Sequence, residues 1–184
     1  MSDKKNYHFS GGFTLLEVLT VVFILGILVV AGGNLFFSIL KGASKAEVTK
    51  EVKQNGDYAV AVMERMIRGA QDILSNSDGL TCEDSMAKLR VLNQDGGTTE
   101  FGCALEDGVT KIASNSAGRL TGKNVTLGGT SCTASSLSFS CVKGTLFVPP
   151  RVTFSFTLSQ KGTDGRVEEQ SQVSFQETVS LRTY

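Results

Sequence analysis

One carboxylate, Glu17, stands inside an apolar run that opens at Phe13 and continues to about Leu40. An ionised side chain at a bilayer centre costs roughly 2.5–3.5 kcal/mol on insertion scales, so Glu17 needs an interfacial position or a partner. Its place near the start of the run allows the first, with the side chain reaching back to the interface. Four cysteines form a second group: Cys82, Cys103, Cys132 and Cys141. All of them lie beyond the run. Zinc would want tight paired spacings or histidines. There is no CxxC, and the single histidine is His8. The cysteines are therefore disulfide candidates and no metal site is expected. Four cysteines allow three pairings. Sequence proximity suggests Cys82–Cys103 and Cys132–Cys141 without proving either. Disulfides place the segment that carries them in an oxidising compartment.

Other chemistry is thin. The acids Asp78, Glu83, Asp84, Glu106 and Asp107 show no EF-hand spacing and read as solvated charges. No cofactor is implied. GxSxG, P-loop and HExxH motifs are missing, and the many serines have no plausible base, so the chain does not read as an enzyme. Asn124-Val125-Thr126 matches a glycosylation acceptor triplet, a pattern that arises often by chance.

The elements that carry these residues follow from patterning. Residues 13–40 are mostly Val, Leu, Ile, Phe, Gly and Ala, and Val21 to Gly33 carries no polar side chain. At about 1.5 Å per residue a helix of this length spans a hydrocarbon core of about 30 Å. A cleaved secretory signal has a shorter core, about 7–15 residues, ending at a small-residue site. The longer run favours an anchor. Residues 41–75 continue as an amphipathic helix, with apolar positions Val48, Val52, Ala59, Val62, Met63, Met66, Ile67, Ala70, Ile73 and Leu74 at helical spacing. Gly42 and Gly56 are soft spots in it, and Asn76-Ser77-Asp78-Gly79 ends it.

Residues 76–184 read as a β-rich domain. Strands are expected at about Lys88–Asn93 and Thr98–Leu105 around the turn Gln94-Asp95-Gly96-Gly97. The segment 106–135 is loop-like, with a strand near Asn124–Leu127. Leu137–Val142 and Thr145–Val148 flank Lys143-Gly144. Val152, Phe154, Phe156 and Leu158 alternate with Thr153, Ser155, Thr157 and Ser159, the period of a half-buried strand. Val167, Val173, Phe175, Val179 and Leu181 supply the return. The fold class is α+β: a long N-terminal helix whose apolar stripe covers a C-terminal antiparallel sheet.

The 18 basic and 18 acidic residues cancel. Without residues 1–12 the chain keeps 16 basic and 17 acidic residues, having lost Lys4, Lys5 and Asp3. No basic stripe argues for nucleic acid as a partner. Lys4 and Lys5 favour a cytoplasmic N-terminus, but Lys41, Lys45 and Lys50 on the far side leave orientation open on charge alone.

The stretch Gly12-Phe13-Thr14-Leu15-Leu16-Glu17 resembles the processing and methylation signature of type IV prepilins and type II secretion pseudopilins. The resemblance covers the leader and the apolar helix; beyond them it is one of general layout and implies a pilin-like fold. It implies a cytoplasmic leader, 1–12, cut after Gly12 by the prepilin peptidase, and N-methylation of the freed amine of Phe13. Glu17 would then neutralise the Phe13 amine of a neighbouring subunit as helices pack into a fibre. A buried carboxylate and a buried ammonium cost much less together than apart. The two positions are also i and i+4, so a pairing within one chain is open.

The implied partners are the peptidase, sister pilins or pseudopilins, an inner-membrane assembly platform and the membrane itself. The implied location is the inner membrane, single-pass, with the C-terminal domain outside the cytoplasm before fibre assembly. The stretch Tyr58 to Arg68 is similar in texture to minor (J-type or PilW-like) subunits. Many family members carry a proline partway along the apolar helix. Here Ala31-Gly32-Gly33-Asn34 stands in that region, as a weak point or a close-packing surface. The alternative is an uncleaved single-pass protein whose external β domain binds a ligand or partner, with Glu17 incidental.

Overall fold

The computed structural model of the 184-residue chain describes residues 12–74, 85–133, 136–145, 148–162 and 171–182. The fold is α+β, one long N-terminal helix followed by antiparallel sheets. The chain divides into two compact units, Met1–Gly42 and Ala43–Tyr184. The helix α1 runs from Leu15 to Arg68 and continues unbroken through Gly32 and Gly33.

In the second unit α1 buries Val52, Gly56, Ala59, Val62, Met63 and Ile67. Those spacings of three and four make one face of a helix. The helix ends earlier than the apolar spacing suggests. Gly69 follows its last residue, and the amides of Gly69 and Ala70 close the end on the carbonyls of Arg65 and Ile67 at 3.1 Å each. Asp72–Leu74 is then strand β1. Ile73 and Leu74 continue the helical period by chance; Gly69 is what stops the helix.

Five strands form the first sheet in the order β1-β2-β3-β4-β5. They are β1, then β2 (Lys88–Leu92), β3 (Thr98–Glu106), β4 (Val109–Ser114) and β5 (Gly118–Arg119), all antiparallel. The β2–β3 hairpin turns where expected, over residues 93–97, with Gly96 at φ 78° and the Asn93 amide donating to the Gly97 carbonyl at 2.8 Å. Strand β4 occupies part of the stretch expected to be loop. Its turn is Asp107-Gly108, both at positive φ (49° and 70°). That pair suits a two-residue hairpin because an aspartate and a glycine tolerate the left-handed region.

The second sheet is built on β8 (Arg151–Gln160), whose Val152, Phe154, Phe156 and Leu158 are buried. Strand β9 (Gln172–Ser180) pairs along one side of it. On the other side lie β7 (Leu137–Val142) and, further along, β6 (Val125–Thr126). Among the described residues, Thr145 and Val148 form an isolated bridge with each other and no pairing with β7; residues 146 and 147 of that expected segment lie outside the described residues. The expected return residue Val167 lies outside the described residues. The two sheets are tied by Met86 and Phe139, whose amides donate to each other's carbonyls at 2.7 and 2.9 Å.

One core joins helix and strands. The rings of Phe139, Phe154, Phe156 and Phe175 follow one another with centroids 6.4, 6.5 and 5.1 Å apart. Polar bonds fix α1 against the strands. Asn55 Oδ1 accepts from the Gly122 amide at 2.8 Å, Glu51 accepts from Asn124 Nδ2 at 2.8 Å, and Ser171 Oγ donates to Thr49 Oγ1 at 3.0 Å.

Candidate processing and assembly site

Gly12, Phe13 and Thr14 precede the helix without regular structure, and all three are exposed. Phe13 is 81% exposed. The Gly12–Phe13 bond therefore sits on accessible, non-helical backbone, the form in which a peptidase can engage a peptide bond.

Thr14 sets the start of α1. Its carbonyl accepts from the amides of Glu17 and Val18 at 3.0 and 3.2 Å, and its Oγ1 lies 3.3 Å from the Glu17 amide. This is an N-cap: a threonine oxygen satisfies an amide that the first turn leaves without a helical partner. Glu17 occupies the third helical position, so Thr14-Leu15-Leu16-Glu17 has the sequence of a capping box. That signal was legible in the sequence, but the apolar run and its single acid drew the reading elsewhere. Glu17 is exposed in the first turn, where a carboxylate is favoured by the helix dipole. Its carbonyl also accepts from Thr20 Oγ1 at 2.9 Å.

The described residues of the first unit hide almost none of their apolar surface. From Phe13 to Leu40 every large apolar side chain is exposed, Phe13 and Leu15 by more than 80%. Burying one such side chain is worth about 1.5–3 kcal/mol, so a surface of this size needs an apolar environment. The helix is long and apolar enough to cross a membrane. A Cβ added at Gly26, Gly32 or Gly33 would meet nothing within 4 Å, so no packing among the described residues requires these glycines.

The expected cysteine pairing is overturned. Cys103 and Cys132 are bonded, S–S 1.99 Å and Cα–Cα 5.5 Å. Proximity along the chain misled because the fold brings the irregular segment after β6 against β3, 29 residues away in sequence. Cys141 is also disulfide-bonded. Cys82 lies outside the described residues. The Cys103–Cys132 bond removes both thiolates from any zinc site.

Residues 8–33 match the family described as the prokaryotic N-terminal methylation motif. No curated protein and no solved structure matches the chain. The matched segment contains the Gly12–Phe13 bond, the Thr14 cap, Glu17 and the first half of the exposed apolar helix. Motif and helix together support association with a membrane and a pilus. This segment carries the N-terminal methylation motif of type IV pilin-like precursors, which supports the prepilin and pseudopilin family.

Proposed function

We propose that the chain is a structural subunit, a minor pilin or pseudopilin, of a type IV pilus or a type II secretion fibre. Residues 1–12 are the leader, removed after Gly12 by the prepilin peptidase. Residues 13–40 hold the precursor in the inner membrane and then pack into the fibre core. The domain beyond them lies outside the cytoplasm, a placement supported by the Cys103–Cys132 disulfide.

The observation that carries this reading is the methylation motif at the start of a helix whose large apolar side chains, from Phe13 to Leu40, are all exposed. Such a helix is built for a bilayer and for other helices. Cleavage creates a new amine on Phe13, four residues before Glu17. Glu17 neutralises that amine on a neighbouring subunit, which lets both charges enter an apolar fibre core at much lower cost than either alone. The chain then works by position and packing, with no catalytic step of its own.

Replacing Gly12 tests the cleavage. Gly12→Val should leave the full-length chain in cells that hold an active prepilin peptidase, while the natural chain is shortened. A shortened Gly12→Val product would show that the bond is elsewhere.

A further inference from the structure

Between Leu15 and Leu40 the helix carries four polar side chains, Glu17, Thr20, Asn34 and Ser38. With Ile24, Ile27 and Ala31 they make one stripe, whose steps alternate between three and four residues. This is the repeat of a helix–helix seam, two positions in every seven. The stripe holds all four polar side chains, and every other position from Leu15 to Leu40 is apolar or glycine. The four differ in how they are satisfied. Glu17 stands in the first turn, at the interface end of the helix. Thr20 Oγ1 donates to the Glu17 carbonyl of its own helix at 2.9 Å. Asn34 and Ser38 are exposed, and neither side chain has a hydrogen bond among the described residues. Asn34 lies about 9 Å before the apolar run ends at Leu40. Its amide brings donors and an acceptor that lipid cannot pair.

From this stripe we infer that the helix pairs in the membrane with a second copy of the same chain, parallel and in register, through Thr20, Ile24, Ile27, Ala31, Asn34 and Ser38. The inference rests on the membrane placement of residues 13–40 proposed above, and not on cleavage or on the fibre role.

Three arguments select that occupant. An amide both donates and accepts, so two Asn34 side chains at one level satisfy each other. A copy of the chain brings that partner to the right depth. Lipid brings none, and a different helix must carry a polar group of its own there. Direction is the second argument. Copies of one chain insert the same way round, so their helices run parallel and like positions meet. Register is the third. A slip of one heptad sets Asn34 against Ile27 and separates the two amides, so a single polar residue on the seam fixes the alignment. Ala31, the stripe residue before Asn34, is small enough to let the two backbones approach.

Cysteine crosslinking of the full chain tests this, in membranes of cells that hold the prepilin peptidase but build no fibre. Ala31→Cys lies on the seam. Val29→Cys is the control, about 200° round the helix at nearly the same depth. Oxidation should link two copies of the Ala31→Cys chain at least tenfold more than two copies of the Val29→Cys chain. Asn34→Leu added to Ala31→Cys should lower that link at least fivefold, with insertion intact because leucine favours the bilayer. Equal linking at the two positions would overturn the inference. So would a smaller fall with Asn34→Leu, or a link from Ala31→Cys to a different protein in place of a second copy. The N-terminus of the unlinked chain separates this claim from the fibre role. A start at Phe13 with equal linking sinks the seam alone, and a start at Met1 with the link at Ala31→Cys sinks the cleavage and leaves the seam standing.

Discussion

The Phe175 ring occupies the space that a side chain on Gly56 would need. An ideal Cβ at Gly56 falls 2.0 Å from Cζ of Phe175. The missing side chain is a notch in the buried face of α1, and β9 seats a ring in it. That ring stacks on Phe156 at 5.1 Å.

Gly56→Ala sets two effects against each other. Alanine gains about 1 kcal/mol of helix propensity over glycine. Overpacking a filled site costs typically about 1–3 kcal/mol. Phe156 backs the ring, so overpacking should win and the chain should lose about 1 kcal/mol net. Urea unfolding of the detergent-solubilised chain measures this. A gain in stability would mean that the ring swings aside freely.

The Cys103–Cys132 bond closes a loop that includes β4, β5 and β6. Cys132→Ser should cost about 2–4 kcal/mol, and Cys103→Ser the same, since either removes one bridge. The double variant should cost no more than one single, apart from small packing terms. Additive losses in the urea midpoint would place the effect in packing and not in the bridge.

Glu100 gives the external domain a modest acid sensitivity. The Lys88 ammonium, 2.8 Å away, holds its carboxyl below the usual range, with further help from Lys88 and Arg90 charge and against the cost of partial burial. A carboxyl with a depressed folded pKa contributes stability that is present above its unfolded pKa, about 4.3. That contribution is lost as pH falls through the lower folded value. The pair is part-exposed, so the effect should stay under about 1 kcal/mol. Unfolding midpoints of the natural chain and Glu100→Gln should differ at pH 7 and converge in acid. A difference that persists at pH 2 would contradict this assignment.

Glu17→Gln separates processing from assembly. The Thr14 cap and the exposed Gly12–Phe13 bond do not depend on the Glu17 charge, so the leader should still be removed. The neighbour's Phe13 amine would lose its counter-charge, and incorporation into fibres should fall at least tenfold. Equal incorporation, measured by quantifying the chain in sheared fibres, would remove Glu17 from assembly.

Much of this fold was legible because it is periodic. The β8 alternation and the Asp95-Gly96 turn appear where the residue pattern puts them. The N-terminal methylation motif was legible by residue type and spacing. Other features depend on contacts far apart in sequence. Strand β4 holds Thr110, Lys111 and Ser114, polar residues that its neighbours bury, so its pattern resembles a loop. Its one local signal was Asp107-Gly108. Gly56 read as a soft spot because the ring that makes it a notch lies more than a hundred residues away. The cysteine pairing failed for the same reason: tertiary folding brings the irregular segment after β6 to β3, a contact that proximity along the chain does not show.

The most direct measurement is the intact mass of the protein from its native membrane, with sequencing of its N-terminal fragment. The account predicts a chain that starts at Phe13 and carries one added methyl group. A chain that still starts at Met1, in cells with an active prepilin peptidase, would contradict it.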